Sequence, residues 1–130
     1  LYASHAYAER HGLPATLAEL KQHRLIGYVA DLLISLSLDY GPEIMPDWQA
    51  SFGVSSALGQ MEAVRSGAGI GILHTFIARS HPDLVPVEVS APIRRAYWLV
   101  YHETVRPLRR VQTVSSFIAS IVEAERSSFM

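Results

Sequence analysis

The chain has 130 residues, enough for one globular domain, and its 49 % hydrophobic and 18 % charged residues exclude a disordered chain. A net charge of −1 argues against affinity of the whole chain for nucleic acid, and the absence of cysteine excludes disulfides and thiol chemistry. The sequence contains no apolar stretch long enough to span a bilayer and no recognisable signal peptide. With Leu1 as its first residue, we expect a piece of a longer protein.

The beginning of the chain predicts the end of a strand followed by two short helices. Residues 1–3 form the strand end, because Ser4 is an N-cap candidate for a helix that stops at Gly12. Thr16 is the N-cap candidate of the second helix, and Glu19 occupies the capping-box position three residues later.

The following segment starts with a clear element and then becomes ambiguous. Residues 25–29 predict a strand because they are mainly apolar around Gly27. Residues 31–48 are the least decided part of the chain, since segment 32–38 fits either a strand or a helix. Residues 40–42, with the sequence Tyr-Gly-Pro, predict a turn.

Residues 49–73 have the pattern of one complete strand, helix and strand. Residues 49–54 alternate polar with apolar or β-branched side chains, and Ser55 or Ser56 is the expected N-cap of the helix. The helix is predicted because Leu58, Met61, Val64 and Arg65 recur at helical spacing.

The end of this helix is marked by Gly67, which stands where a positive φ is needed, and Ile70 begins a short apolar strand. The right-handed crossover rule makes the two strands of the unit parallel. The glycines of GAGIG do not match the dinucleotide-binding fingerprint, because that fingerprint follows a strand and opens a helix. We expect them instead to allow a tight turn and close packing of the helix on the sheet.

A candidate binding site lies at Ser55 and Ser56. The carboxyl end of a parallel strand and the free N–H groups of a helix N-terminus coincide there, which favours hydroxyl, carboxylate or phosphate oxygens. The alternative, which the sequence alone favours, is that the two serines only cap the helix.

The last third of the chain predicts four elements. Residues 74–79 predict one or two helical turns, and residues 84–89 predict a short strand that Pro86 confines to an edge or a loop. Residues 93–102 predict the longest strand, with large side chains on both faces, so that both faces should be covered. Pro107 opens a helix of about 18 residues, or about 27 Å. The apolar stripe of this helix needs a partner surface and consists of Leu108, Val111, Val114, Ile118, Ile121 and Val122.

Other chemistry finds little support in the sequence. The six histidines are scattered and lack the spacing of metal ligands, so we predict no metal site. Ser55 has Gly53 two positions before it but Ala57 two positions after it, which does not match a nucleophile elbow. Five arginines between Arg94 and Arg110 are better explained as a solvated surface than as a DNA contact. We therefore predict no catalytic residues and no enzyme.

Three blocks of the sequence, in this order and spacing, resemble consecutive signatures of the C-terminal effector-binding region of LysR-type transcriptional regulators. The resemblance covers nearly all of the chain. The blocks are LYASHAYAERHGLPATLAELKQHRLIGY, SSALGQMEAVRSGAGIGIL and RRAYWLVYHETVRPLRRVQTVSSFI.

The resemblance implies an α/β fold of the periplasmic-binding-protein type (type II), with a mixed, mainly parallel sheet. Residues 1–94 would be the second effector-binding subdomain, with the end of the first crossing strand at residues 1–3. Residues 95–130 would be the return crossing strand and the C-terminal helix of the first subdomain. The rest of the first subdomain and the DNA-binding domain would then lie outside this chain.

The resemblance also implies a function: a small effector binds between the two subdomains and shifts the arrangement of a DNA-bound oligomer. Such a protein is cytoplasmic, needs no cofactor, associates with itself as a dimer or tetramer, touches no membrane and contacts DNA only through the missing N-terminal domain. An alternative function that shares this fold is that of an extracytoplasmic solute-binding protein of a transporter. A third hypothesis, based on the unpartnered stripe, is an association module.

On the family's pattern the effector contacts of this subdomain carry over to Ser55 and Ser56, with Tyr28 and Val29 as weaker candidates at the end of the neighbouring strand. His74 stands where the family often has proline. This histidine either lines the cleft as a donor or is a solvated loop residue, and we favour the loop residue.

Overall fold

The structure is a computed structural model that describes residues 1–33 and 38–129. It divides into two compact units, Leu1–Ile93 and Arg94–Met130. Each unit is described by itself.

The first unit is built on one five-stranded mixed sheet. Its strands are β1 (Tyr2–Ser4), β2 (Leu25–Tyr28), β3 (Phe52–Val54), β4 (Ile70–Gly71) and β5 (Leu84–Pro86). The strand order is β3-β2-β4-β1-β5. Strand β2 is parallel to β3 and to β4, whereas β1 is antiparallel to β4 and to β5. The α/β class with a mixed sheet is confirmed, and β5 lies at an edge, as Pro86 predicted.

The helices of the first unit follow their capping residues. They are α1 (His5–His11), α2 (Leu17–Leu20), α3 (Gly41–Ile44), α4 (Ala57–Arg65) and α5 (Thr75–Ala78). The Oγ of Ser4 accepts a hydrogen bond from the N–H of Tyr7 at 3.2 Å. The Oγ1 of Thr16 accepts one from the N–H of Glu19 at 3.2 Å. Both predicted N-caps are therefore confirmed, and the cap bonds occupy helix N–H groups that have no partner within the helix.

The segment that the sequence left undecided contains two short elements among its described residues. Residues Ala30–Leu32 form a single 3-10 turn, and α3 begins at Gly41. The predicted turn at residues 40–42 is thus the start of a one-turn helix. The core of segment 32–38, residues 34–37, lies outside the described residues.

Both faces of the sheet are covered, which produces two apolar clusters. Neighbouring residues of β2 point to opposite faces, and Leu25 and Ile26 accordingly belong to different clusters. One cluster is centred on Ala3, Tyr7, Leu20, Leu25, Ile44, Met45, Ile70 and Val87. The other is centred on Ile26, Ala63, Val64, Ala78 and Leu84.

Helix α4 connects β3 to β4 and crosses over β2, which lies between them in the sheet. The two strands are parallel, as predicted, because each is parallel to β2. Gly67 ends the helix with φ +78°, and a Cβ on Gly71 would lie 2.7 Å from Cγ2 of Val64. Both glycine roles predicted from GAGIG, a tight turn and a close helix approach, are confirmed.

Of the four residues that have helical spacing in α4, only Met61 and Val64 are buried. Leu58 is 66 % exposed, and the buried positions are Gln60, Met61, Ala63 and Val64. The four buried positions form one face of the helix, and Leu58 lies about 140° away from the centre of that face at about 100° per residue, so its side chain points away from the sheet. The polar Gln60 is therefore buried, whereas the apolar Leu58 is exposed.

In the second unit the longest predicted strand is absent. Residues 93–102 make no ladder with any described segment, and Trp98 is 83 % exposed. A strand needs a neighbour to pair its N–H and C=O groups, and this segment has none among the described residues. The predicted C-terminal helix is confirmed as α6 (Arg109–Ala124) and is followed by α7 (Arg126–Phe129).

Within this second unit α6 buries none of its side chains. The predicted stripe is accordingly accessible at Val114, Ile118, Ile121 and Val122, with Phe117 beside it. The helices of the described residues include none long and apolar enough to cross a membrane.

Candidate functional site at the strand ends

Three parallel strands end at the same edge of the sheet. Tyr28, the last residue of β2, is paired with Val54, the last residue of β3. The N–H of Val29 donates to the carbonyl oxygen of Val54 at 3.1 Å, which ties the two strand ends together. His74 follows β4 at the same edge and is the N-cap of α5. The carboxyl ends of parallel strands are where open α/β sheets bind ligands.

The two serines at this edge have different environments. Ser56 is the N-cap of α4, and its Oγ accepts a hydrogen bond from the N–H of Gly59 at 3.1 Å. Ser55 is exposed, and among the described residues its hydroxyl makes no hydrogen bond. Ser56 is therefore engaged in capping, whereas the Ser55 hydroxyl is available to a ligand.

Tyr28 and His74 line one small cavity of about 10 Å³, roughly the space that one water molecule needs. Burial lowers the pKa of His74 below its ordinary value. Burial, with a smaller contribution from the neighbouring Tyr40, raises the pKa of Tyr28. Both groups are thus uncharged at neutral pH and act as hydrogen-bonding groups rather than as ions.

The structure brings together part of the predicted site. Tyr28 and His74 share the cavity, whose wall also includes Ala57, the first residue of α4. Ser55, Ser56 and Val29 do not contribute to the cavity wall, although each is next or nearly next in sequence to a residue that does.

His74 is half-buried rather than fully solvated. Its ring lies 6.3 Å from the ring of Tyr40, edge to face, and 5.7 Å from that of Phe76.

Sequence reasoning missed several residues of this wall. Tyr40 lies in the segment that the sequence left undecided, and Gln60 lies within helix α4. The remaining wall residues are Met61, Ile72, Leu73 and Ile77. The sequence contained a signal for Gln60, because this residue stands four positions before Val64 and therefore lies on the same face of the helix.

A larger open groove of about 620 Å³ borders the same region through Ile72 and Leu73. Its other walls are Leu1, Tyr2, Ile44, Thr75 and residues 86–93. It contains none of the predicted site residues, and Glu88 is its single ionised side chain among the described residues. Within the described part of the chain, no three His, Asp or Glu side chains approach closely enough to hold a metal ion.

The sequence model of the LysR substrate binding domain matches residues 1–122. The chain belongs to this family. No curated protein sequence matches it.

A solved structure similar to this LysR substrate-binding domain is the regulatory domain of CrgA, a LysR-type transcriptional regulator from Neisseria meningitidis. The TM-score is 0.75 at 20 % sequence identity, and the match covers 92 % of this chain and 61 % of that chain. The likeness shows the type II periplasmic-binding-protein-like fold of LysR regulatory domains. This LysR substrate-binding domain therefore spans about three fifths of the length of the regulatory domain that it matches. The transporter solute-binding protein is not favoured, because the family that matches is that of the regulators.

Proposed function

We propose that the chain is the effector-sensing part of a cytoplasmic LysR-type transcriptional regulator. Residues 1–94 act as the second subdomain, and residues 95–130 return to the first subdomain. A small metabolite binds at the strand ends of β2, β3 and β4 and changes the arrangement of a DNA-bound oligomer. The DNA contact is made by a domain outside this chain, and the module performs no catalysis.

The observation that carries this proposal is the exposed hydroxyl of Ser55, which makes no hydrogen bond with the described residues and lies beside the capped N-terminus of α4. The first N–H groups of α4 point toward the same edge, where they favour an oxygen atom of a ligand. Tyr28 and His74 supply two more hydrogen-bonding groups at this edge. The bound metabolite is therefore polar on the side that faces this subdomain.

The proposal assigns the opposite wall of the cleft to residues outside this chain. Affinity for the isolated chain should accordingly be weak, since the contacts of one wall are missing. This expectation agrees with the small volume of the cavity at the strand ends, about 10 Å³.

Ligand-induced thermal stabilisation of the longer protein, screened over a metabolite library, tests the proposal. For any metabolite that stabilises the protein, Ser55→Ala should reduce the stabilisation without changing the melting temperature of the unliganded protein. The matched variant Ser56→Ala should lower the unliganded melting temperature, because it removes the cap bond to Gly59. Full ligand stabilisation in the Ser55→Ala protein would remove this serine from the site.

A second candidate function, association between copies, is favoured by the apolar stripe of α6. Val114, Ile118, Ile121 and Val122 are exposed on one side of a 16-residue helix. An exposed apolar surface of this kind commonly marks an interface. The two candidates are compatible, because LysR-type sensing as proposed here acts through an oligomer.

A further inference from the structure

Gln60 is an unusual residue of the α4 face that packs on the sheet. It is only 5 % exposed, as buried as the apolar residues beside it. Its side-chain amide nevertheless makes no hydrogen bond within the described part of the chain. Its backbone N–H is satisfied by the carbonyl oxygen of Ser56 at 3.0 Å, so only the side chain lacks a partner.

The amide of Gln60 is not sealed in the core. Among the described residues, every side-chain nitrogen or oxygen that is fully enclosed has a hydrogen-bond partner. The unpaired amide atoms of Gln60 must therefore retain access to open space. A buried polar group without a partner is unfavourable and calls for an explanation such as a bound water or ligand.

Two small cavities, each of about 10 Å³, lie next to Gln60. Gln60 lines both, together with Tyr28, Tyr40 and Ile72. Each cavity has room for about one water molecule, which is also the size of a hydroxyl group. A carboxylate or a ring does not fit into this volume.

The charges around the two cavities do not favour an anion. Among the residues that the structure describes, no lysine or arginine lines either of them. The carboxylate of Asp39 lines the second cavity, where its Oδ1 accepts a hydrogen bond from the N–H of Gly41 at 3.3 Å. Burial keeps His74 uncharged at neutral pH by lowering its pKa. A negative group near Gln60 would thus lie close to a carboxylate and have no cationic side chain to pair with.

We propose that Gln60 hydrogen-bonds a hydroxyl group of the effector, and that this contact selects hydroxylated, uncharged ligand groups over carboxylates at the end of β2. The amide offers both a donor and an acceptor, which match the acceptor and donor of one hydroxyl. In the absence of a ligand, a water molecule takes the same place. The inference rests on the proposed effector-binding function and names the ligand chemistry of that site.

The test uses three probes with the same apolar chain and different head groups: 1-butanol, butanoate and butylammonium. Each is titrated into the ¹⁵N-labelled 130-residue chain at pH 7.5, and the side-chain NH₂ signals of glutamine are followed by NMR. The Gln60 signals are identified as those lost in Gln60→Met. Gln22→Met, at an exposed glutamine of the same unit, is the matched control and should leave them in place.

The expected result is a saturable shift of the Gln60 NH₂ signals with 1-butanol, and apparent affinities of butanoate and butylammonium that are weaker by at least about ten-fold. A shift with butanoate that equals the shift with 1-butanol would overturn the selection for an uncharged group. Unmoved Gln60 signals with all three probes would overturn the contact itself. Both outcomes are read on the parent protein, and the variants serve only to assign its signals.

A second measurement separates this inference from the proposed function. If metabolites stabilise the longer protein through Ser55 but Gln60→Met binds them unchanged, the Gln60 contact is wrong and effector sensing stands. If no metabolite binds the longer protein while 1-butanol shifts the Gln60 signals, effector sensing is wrong and the hydroxyl site stands.

Discussion

The hydroxyl of Tyr7 lies 3.0 Å from Nδ1 of His23 and links helix α1 to the residues that precede β2. The same hydroxyl accepts a hydrogen bond from the N–H of Arg24 at 3.3 Å. Tyr7 is almost completely buried in the core cluster that also contains Leu20 and Leu25. One side chain thus connects the first helix to the start of the central parallel strand.

Replacing this hydroxyl should lower stability by a modest amount. Tyr7→Phe keeps the ring in the core but leaves the N–H of Arg24 and the ring nitrogen of His23 without their partner. We expect a loss of about 1 kcal/mol in the free energy of unfolding, measured by urea denaturation. Tyr101→Phe, at an exposed tyrosine, is the control and should change it by less than about 0.5 kcal/mol. Equal effects of the two substitutions would contradict the proposed role of the Tyr7 hydroxyl.

The stability of the protein should fall as the solution becomes acidic. Burial, followed by the nearby His11, lowers the pKa of His23, while Glu19 acts in the opposite direction. A histidine whose pKa is lower in the folded state than in the unfolded state contributes stability that is complete above the unfolded value of about 6.5. That contribution is lost as the pH falls through 6.5 toward the folded value.

His74 has a lowered pKa as well and acts in the same direction. The free energy of unfolding, measured between pH 7.5 and 5, should therefore depend less on pH in the double variant His23→Gln/His74→Gln than in the parent protein. If the parent protein became more stable as the pH falls from 7.5 to 5, the predicted direction of the pH dependence would be wrong.

Helix boundaries could be predicted from the sequence because the responsible interactions are local. Ser4, Thr16 and Ser56 each form a hydrogen bond with an N–H three residues later, and such a bond is visible in the spacing of the sequence. Gly67 is likewise determined by the backbone conformation of its own position. The resemblance of three sequence blocks to a known family then supplied the fold class, which the periodicity alone could not.

The errors concern interactions between distant segments. Leu58 has a helical spacing to Met61, but which face of α4 becomes buried depends on how the helix packs on the sheet. Residues 93–102 have the side chains of a strand, but pairing depends on a neighbour that the described residues do not supply. Gln60 and Tyr40 approach each other only after β2 and α4 have packed, so no local pattern could place them in one cavity wall.

The two neighbouring serines should respond differently to alanine. Ser56→Ala removes the acceptor of the Gly59 N–H and should lower the free energy of unfolding by about 1 kcal/mol, as typical N-cap substitutions do. Ser55→Ala removes an exposed hydroxyl that makes no hydrogen bond with the described residues, and its effect should stay within about 0.5 kcal/mol. Guanidinium denaturation of the two variants checks the difference, and a larger effect at Ser55 would show that the cap is assigned to the wrong serine.

The packing of α4 on the sheet requires a glycine at position 71. The Cβ of Gly71→Ala would lie 2.7 Å from Cγ2 of Val64, which is fully buried, and overpacking of this kind costs about 1–3 kcal/mol. Val64→Ala removes the clashing methyl group and lowers stability by creating a cavity. In the double variant the clash is absent, so its loss of stability should be smaller than the sum of the two single losses by at least about 0.5 kcal/mol. Strict additivity in thermal unfolding would indicate that the two positions are not in contact.

A polar substitution in the middle of the α6 stripe should weaken association between copies of the chain. Ile118 lies between Val114 and Val122 on the exposed apolar side of the helix. Ile118→Asp places a charge there, and burying an unpaired carboxylate in an interface is strongly unfavourable. We expect the parent chain to be at least dimeric at micromolar concentrations in light scattering and the variant to be shifted toward the monomer.

Ser116→Asp introduces the same charge on the opposite side of α6, where the residue is also exposed, and it should leave the association unchanged. Comparing the two variants thus shows whether association depends on where the charge lies on α6 or only on the added charge itself. A parent chain that is monomeric and well folded at micromolar concentration would exclude association through the stripe. The exposed apolar residues of α6 would then be expected to pack against another partner, in agreement with the proposed assignment of residues 95–130 to the first subdomain.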